Sequence, residues 1–531
     1  MPPGGQRNWP CQPDLLGVPP RDQLMTVGAS KGSVGSGGYA PIVSTAADGP
    51  DRNALRPTDL AIVRLFLLTL GVLLAGYAFL GRGFAHLGVG PVYLGEFVLV
   101  LGLAATAVAA VRTRLQISRS WLVVLLIVFM VLGLVRTVPY IPTFGINALR
   151  DATLWGYAVF ALMLFAILDR DWLLRLFKLY GCMAIVFLLS APVASYIFNH
   201  YQPSIPIVPG SSLPILYFKN SDMAVQTAGA IAFLVVGTPM VRRVRDFLWR
   251  SGAAVPATWM VYYTGSLTRG GLAAVAASMG VLVVAAGRTR NWLPVLCGAA
   301  LFAVMVTANV SVPSIGPGPT PSSTPSSIAS GPSPTPSATP SATPSATPTP
   351  VPTDSTIGRS VSPNQWWTNI VSVFFGSANG GLEGTKEYRL RWWTKIIDYT
   401  FNGPYFWTGK GFGINLADDD GFQTLADDSL RAPHNSHFSV LARMGVPGFF
   451  LWILLQGAFA LLLLRSLFAH RRAGDLQLAA VATWVLAFWT AIMVNTSFDP
   501  YLEGPQGGIW FWALVGLGLV VIRLAPRRQA D

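Results

Sequence analysis

The chain has 531 residues, of which 52% are hydrophobic and 11% charged, and a formal net charge of +13. Soluble proteins carry about 25% charged residues, so the deficit, the mean hydropathy of +0.49 and repeated apolar runs of bilayer length exclude a soluble enzyme, a collagen or a disulfide scaffold. The basic excess is no nucleic-acid footprint, because most Lys and Arg flank apolar segments. Cys11 in a polar arm and Cys182 and Cys297 inside apolar runs leave no pair to staple an exported loop.

In chain order, residues 1–60 are polar and rich in Gly, Pro and Ser, the composition of a disordered arm without a cleaved signal peptide. Twelve apolar segments follow, near 61–80, 92–111, 121–138, 153–168, 179–197, 222–240, 253–267, 271–287, 292–310, 437–464, 477–497 and 507–523. They predict an all-α polytopic membrane protein of about 12 transmembrane helices, with a large exported loop between helices 9 and 10 that contains short interfacial helices.

Alternate connections hold eighteen Lys and Arg, among them Arg112, Arg170, Lys178, Arg288, Arg465 and Arg528, whereas the opposite connections hold five: Arg82, Arg136, Arg150, Lys219 and Arg269. Positive residues stay on the cytoplasmic side, so both termini are expected there. Residues 311–436 then lie outside the cytoplasm, first a Pro/Ser/Thr spacer over 311–357, with prolines 336, 340, 344 and 348 in a four-residue repeat, then an ordered loop over 358–436. Helices ten to twelve occupy 437–523, and a cytoplasmic tail covers 524–531.

The ordered loop carries the chemistry-bearing residues. At 387–400, Arg389, Trp392, Trp393, Ile396 and Ile397 share one helical face and Arg391, Lys395 and Asp398 the other, a pattern for a helix in the membrane interface. A guanidinium on the aromatic side needs an anionic partner, which singles out Arg389, while Arg391 reads as solvated or headgroup-facing. The glycines around Lys410 in WTGKGFG suit either an anion-cradling loop or, with no strand–loop–helix context, a plain turn. The acidic residues Asp418, Asp419, Asp420, Asp427 and Asp428 lack calcium-loop spacing and read as a solvated loop. His434 and His437 stand at the entry to segment ten, with Asn435 or Ser436 as the helix N-cap, and no third ligand supports a metal pair. Arg269 interrupts an apolar stretch at the outer surface, Arg150 and Asp151 are adjacent candidates for an ion pair, and Asp499 and Glu503 in the last outer loop are placed to hold an Arg cluster or meet an acceptor.

Thr268-Arg269-Gly270-Gly271, Arg389 ahead of Trp392-Trp393, Gly409-Lys410-Gly411-Phe412-Gly413, His434-Asn435, and Leu441 with Gly445-Val446-Pro447-Gly448 together resemble the O-antigen ligase and O-antigen polymerase superfamily of bacterial membrane glycosyltransferases. The likeness covers most of residues 60–525, including Gly95-Glu96-Phe97 and the Arg150-Asp151 pair; the spacer and the long arm depart from it. The resemblance implies an inverting transfer of a glycan from an undecaprenyl-diphosphate carrier to a hydroxyl of an acceptor glycan, lipid or protein, on the outer face of the cytoplasmic membrane, with neither cofactor nor metal. It implies catalytic roles for His434, Arg389 and Arg269. Arg391, Asn435, His437, Lys410, Arg150 and Lys219 are the expected substrate-binding residues. A multi-pass transporter or flippase is the alternative, and it would need ionisable or broken-helix sites near the bilayer midplane.

Overall fold

In the computed structural model the described residues are 56–526, apart from 90–91, 114, 116–119, 202–203, 212, 238–243, 286, 288–291, 313–359, 375–379 and 425–429. The predicted arm, except its last residues, nearly all of the spacer, and Asp427 and Asp428 lie outside them.

The chain runs through α1 (Ala61–Leu80), α2 (Arg82–Ala85), α3 (Leu94–Arg112) and α4 (Trp121–Phe144), then a pair bent by 43°, α5 (Ile146–Gly156) and α6 (Val159–Ile167). After these come α7 (Arg170–Tyr201), α8 (Asn220–Val236), α9 (Val244–Leu267), α10 (Arg269–Ala285) and α11 (Leu293–Thr307). The loop segment contributes α12 (Pro363–Phe374), α13 (Gly380–Ile397) and the one-turn α14 (Leu416–Asp419), and α15 (Ser436–Arg472), α16 (Leu476–Thr496) and α17 (Pro505–Arg523) follow.

The described residues of the twelve predicted apolar segments are largely helical, the segment at 153–168 falling across two helices. Seven, namely α1, α3, α4, α7, α15, α16 and α17, are long and apolar enough to cross a membrane, and the bent α5–α6 pair makes up to eight. The protein is thus an all-α polytopic membrane protein; α8, α10 and α11 are shorter apolar helices, and α9 opens on polar residues. Burial separates the layers: 72% and 83% of the apolar windows of α16 and α17 are buried, against 28% in α3 and α4. α16 and α17 therefore form the centre. The outer helices present Leu68, Val100 and Val131 on their surface, an apolar exposure suited to lipid tails.

The helix expected at 387–400 is present as α13, which begins earlier and ends in a π turn at Asp398–Asn402. Trp392 and Ile396 are fully buried, in a small core of their own with Leu416, Ala417, Leu441 and Ala442. Ile397 is 42% exposed, a correction to the predicted face; it is one residue past Ile396, and one residue is a 100° turn of the helix.

Val312 and Val361 pair across an antiparallel bridge, with N–H···O distances of 2.9 and 3.2 Å. The two ends of the spacer are pinned together, so its span contributes no reach to the residues after it. Replacing residues 314–359 with a Gly-Ser linker of about 4 residues, hairpin length, is expected to leave detergent-extracted yield and thermal unfolding unchanged. A drop in either would show that the spacer holds the fold.

Candidate functional site

α8 begins with Lys219 at its N-cap and Ser221 and Asp222 in its first turn. After α1 the chain turns at Gly81 (φ +73), where a Cβ would come within 2.2 Å of Tyr217 O, and Arg82 N donates to Tyr217 O at 2.8 Å. That contact lays Arg82 over α8. Its Nε donates to Asp222 Oδ2 at 2.9 Å, and Nη2 reaches Asp222 Oδ1 and Asp499 Oδ1 at 3.5 Å each. Asp499, buried just beyond the end of α16, also pairs with Lys219 and accepts from Ser221 Oγ at 3.0 Å.

The loop segment joins the same spot. Arg389 on α13 donates to Phe498 O at 3.2 Å, and Ser436 Oγ to Asp499 O at 3.4 Å. One turn along α13 from Arg389, Trp393 donates to Pro433 O at 2.8 Å and stacks on Phe438 at 5.0 Å. Pro433 and Phe438 bracket His434, whose φ of +53 is rare for a residue with a side chain. Asn435 caps α15, accepting from the N–H groups of His437 and Phe438 at 2.9 and 3.3 Å. Arg269 opens α10, and the following Gly270 packs on Phe498 so closely that a Cβ would sit 2.9 Å from its Cβ.

These neighbours set the protonation states. Burial, then the cations Arg389 and Lys219, push the His434 imidazole down to about 3, with Asp499 opposing. His434 is therefore neutral at physiological pH. Burial alone would raise the Asp499 carboxyl, but Lys219 and Arg82 hold it well below the usual carboxylate range. Burial also lowers Arg389; Asp499 counters that and the like charge of Arg269 adds to it.

A second buried network ties the glycine loop to the bundle. Asp151 pairs with Arg443 at 2.9 Å and Arg431 at 3.2 Å and accepts from Gly413 N at 2.9 Å. The Arg443 guanidinium donates to Ile414 O at 3.2 Å, and Ser439 Oγ to Glu503 Oε1 at 2.6 Å. Gly411 and Gly445 take φ of +86 and +69, and Cβ atoms there would meet the Tyr140 ring at 2.2 Å and Phe406 O at 2.5 Å. Close packing requires these glycines.

The structure brings four of the expected residues, Arg269, Arg389, His434 and Lys219, to one end of the helix bundle. It turns the others elsewhere. Lys410 is buried and bound to Asp419 and Asp420 at 2.5 Å each, and the N–H groups of Lys410 and Gly411 donate to Ala442 O and Arg443 O; the anion-cradle reading of the glycine loop gives way to the turn. The acidic cluster is correspondingly not a solvated loop throughout, since Asp420 also accepts from Trp392 Nε1 at 2.7 Å inside the small core. Arg150 is exposed while Asp151 pairs with Arg443 and Arg431, which corrects the expected Arg150–Asp151 pair. Arg391 lies exposed, 3.9 Å from Glu387. His437 accepts from Trp452 Nε1 at 3.0 Å, and its Nε2 lies 3.4 Å from Met493 O, so both ring nitrogens are engaged inside. Asn435 has its side-chain oxygen committed to the cap.

Arg82 and Asp222 escaped the sequence reading. Their signal was present: a carboxylate in the first turn of an apolar helix needs a cation, and few cations occupy that side.

Residues 252–453 match the family model described as O-antigen ligase. The matched stretch runs from α9 into α15 and contains Arg269, Arg389 and His434, whereas Arg82, Lys219, Asp222 and Asp499 lie outside it. No curated protein matches the chain. Over residues 252–453 the chain is thus similar to O-antigen ligases, and several of its helices are long and apolar enough to cross a membrane.

Two outcomes test the site. Asp499→Asn leaves Lys219 and Arg82 without their shared counter-charge and is expected to cost about 3–5 kcal/mol, the scale for breaking a buried pair; an unchanged thermal midpoint in detergent would refute the hub role. Burial raises the Glu503 carboxyl from 4.5 to about 7. The stability this supports is complete below about pH 4.5 and is lost as pH rises through about 7. Glu503→Gln should therefore flatten the decline in thermal midpoint between about pH 5 and pH 8, and an identical pH profile in both proteins would contradict the assignment.

Proposed function

We propose that the protein transfers a glycan from an undecaprenyl-diphosphate carrier to an acceptor hydroxyl at the outer face of the cytoplasmic membrane, in ligation or polymerisation of a cell-surface polysaccharide. The observation that carries this reading is the meeting of Arg269, Arg389 and His434, far apart in sequence, around Phe498 and Asp499. Arg82, Lys219, Arg269 and Arg389 bring four positive charges and Asp222 and Asp499 two negative ones, with His434 neutral. An excess of two cations matches the diphosphate diester, which carries one negative charge per phosphate.

When the sugar C1–O bond breaks, the departing undecaprenyl diphosphate gains a further negative charge. Arg269 and Arg389, fixed beforehand in a partly dry site, stabilise that charge more than the ground state. The acceptor oxygen attacks C1 from the opposite face, which inverts the anomeric centre, and its proton passes to the neutral ring of His434. A bound diphosphate would offset the cations that depress His434 and raise its basicity when substrate is present. Clustered cations supply the charge stabilisation that metal ions provide in other diphosphate chemistry.

The outward orientation rests on the asymmetry of Lys and Arg among the connections. A transporter site would sit near the bilayer midplane; this cluster gathers at helix ends, at the starts of α8 and α10 and the end of α16.

The test is transfer by purified protein in nanodiscs, given an undecaprenyl-diphosphate glycan and candidate glycan, lipid and protein acceptors. His434→Ala, Arg389→Ala and Arg269→Ala should each reduce turnover by about 100-fold or more. Undiminished transfer in all three would sink the assignment.

A further inference from the structure

Asn369, on α12, is fully buried and lies a hundred residues from Arg269 in sequence. Its Nδ2 donates to Gly265 O at 2.8 Å and to Ser266 O at 2.7 Å. Those carbonyls belong to the last turn of α9, where a helix leaves its C=O groups without partners of its own. Gln365 Nε2 donates to Asn369 Oδ1 at 3.3 Å, which fixes the amide with its NH2 toward the carbonyls. Trp366 closes the contact: a Cβ on Gly265 would meet its Nε1 at 2.6 Å, and its ring packs 4.8 Å from Phe302.

Two residues beyond the clamped carbonyls the chain turns from α9 into α10. Thr268 N donates to Thr264 O at 2.8 Å, Thr268 Oγ1 accepts from Gly271 N at 3.4 Å, and Arg269 follows as the first residue of α10. On the far side Gly270 abuts Phe498. The turn that carries Arg269 is therefore gripped between Phe498 and the amide of Asn369.

We propose that Asn369 is a positioning residue for Arg269: its amide locks the end of α9, and so sets where the Arg269 guanidinium meets a lipid-linked diphosphate. This rests on reading Arg269 as a diphosphate-binding cation. It gives the return of the chain after the spacer a task, since α12 docks on α9 directly after the Val312–Val361 bridge.

The experiment is a double-mutant cycle in nanodiscs, read by binding of undecaprenyl diphosphate and by the KM and kcat of transfer. Asn369→Ala should weaken binding and raise the donor KM about tenfold, the size of one hydrogen-bonding contribution. Asn369→Leu, close in volume and without any donor, should match it and serves if the alanine variant does not fold. In an Arg269→Ala background neither change should weaken binding further, because the group it positions is gone. Equal losses with and without Arg269, or wild-type binding by either folded variant, would overturn the proposal. Intact binding without transfer would sink the reaction proposed above while the binding cycle still judges Asn369; a wild-type protein that does not bind undecaprenyl diphosphate would overturn both.

Discussion

The structure depends on two consecutive residues, Phe498 and Asp499, in the short link between α16 and α17. The Asp499 carboxylate receives Lys219, Arg82 and Ser221, its backbone carbonyl receives Ser436, and the carbonyl of Phe498 receives Arg389. Four segments of the chain are thus drawn to this link. Cations gathered in a partly dry environment repel one another strongly, and unpaired buried charge costs several kcal/mol. A buried carboxylate between them turns repulsion into attachment, and it leaves an excess of positive charge at that end of the helix bundle.

The loop segment is attached by the same means at a second level. Asp151 takes Arg443 and Arg431, and Lys410 takes Asp419 and Asp420. The first two turns of α15 connect both levels, because Ser436, Ser439 and Arg443 fall on one helical face and reach Asp499, Glu503 and Asp151 in turn. The kink at Gly445 ends this polar stripe, and beyond it α15 proceeds as an apolar span. His434 immediately precedes the stripe, so its position is inherited from the most heavily bonded part of the loop.

Much of this was readable from residue order. Apolar runs located the helices, although α5, α7 and α9 begin earlier and α15 ends later, and a face of Arg389, Trp392, Trp393 and Ile396 announced α13. Motif residues nominated Arg269, Arg389 and His434 before any geometry was known. Lys410 and His437 are turned inward for a shared reason: a polar side chain in a membrane protein advertises its need for a partner without saying whether that partner is substrate or protein. Lys410 found two aspartates nine and ten residues on, and His437 found Trp452 and Met493.

By itself the sequence determined the membrane class, the helix positions and the types of group available at the site, because hydropathy and helical periodicity act over tens of residues. Only the tertiary structure decided which charges meet. Arg82 and Asp222 are 140 positions apart and Ser221 and Asp499 are 278 apart. Their pairing follows from how α8 packs on α16 and how the turn after α1 lies over the start of α8, a long-range consequence of burying apolar faces that no local pattern of residues encodes.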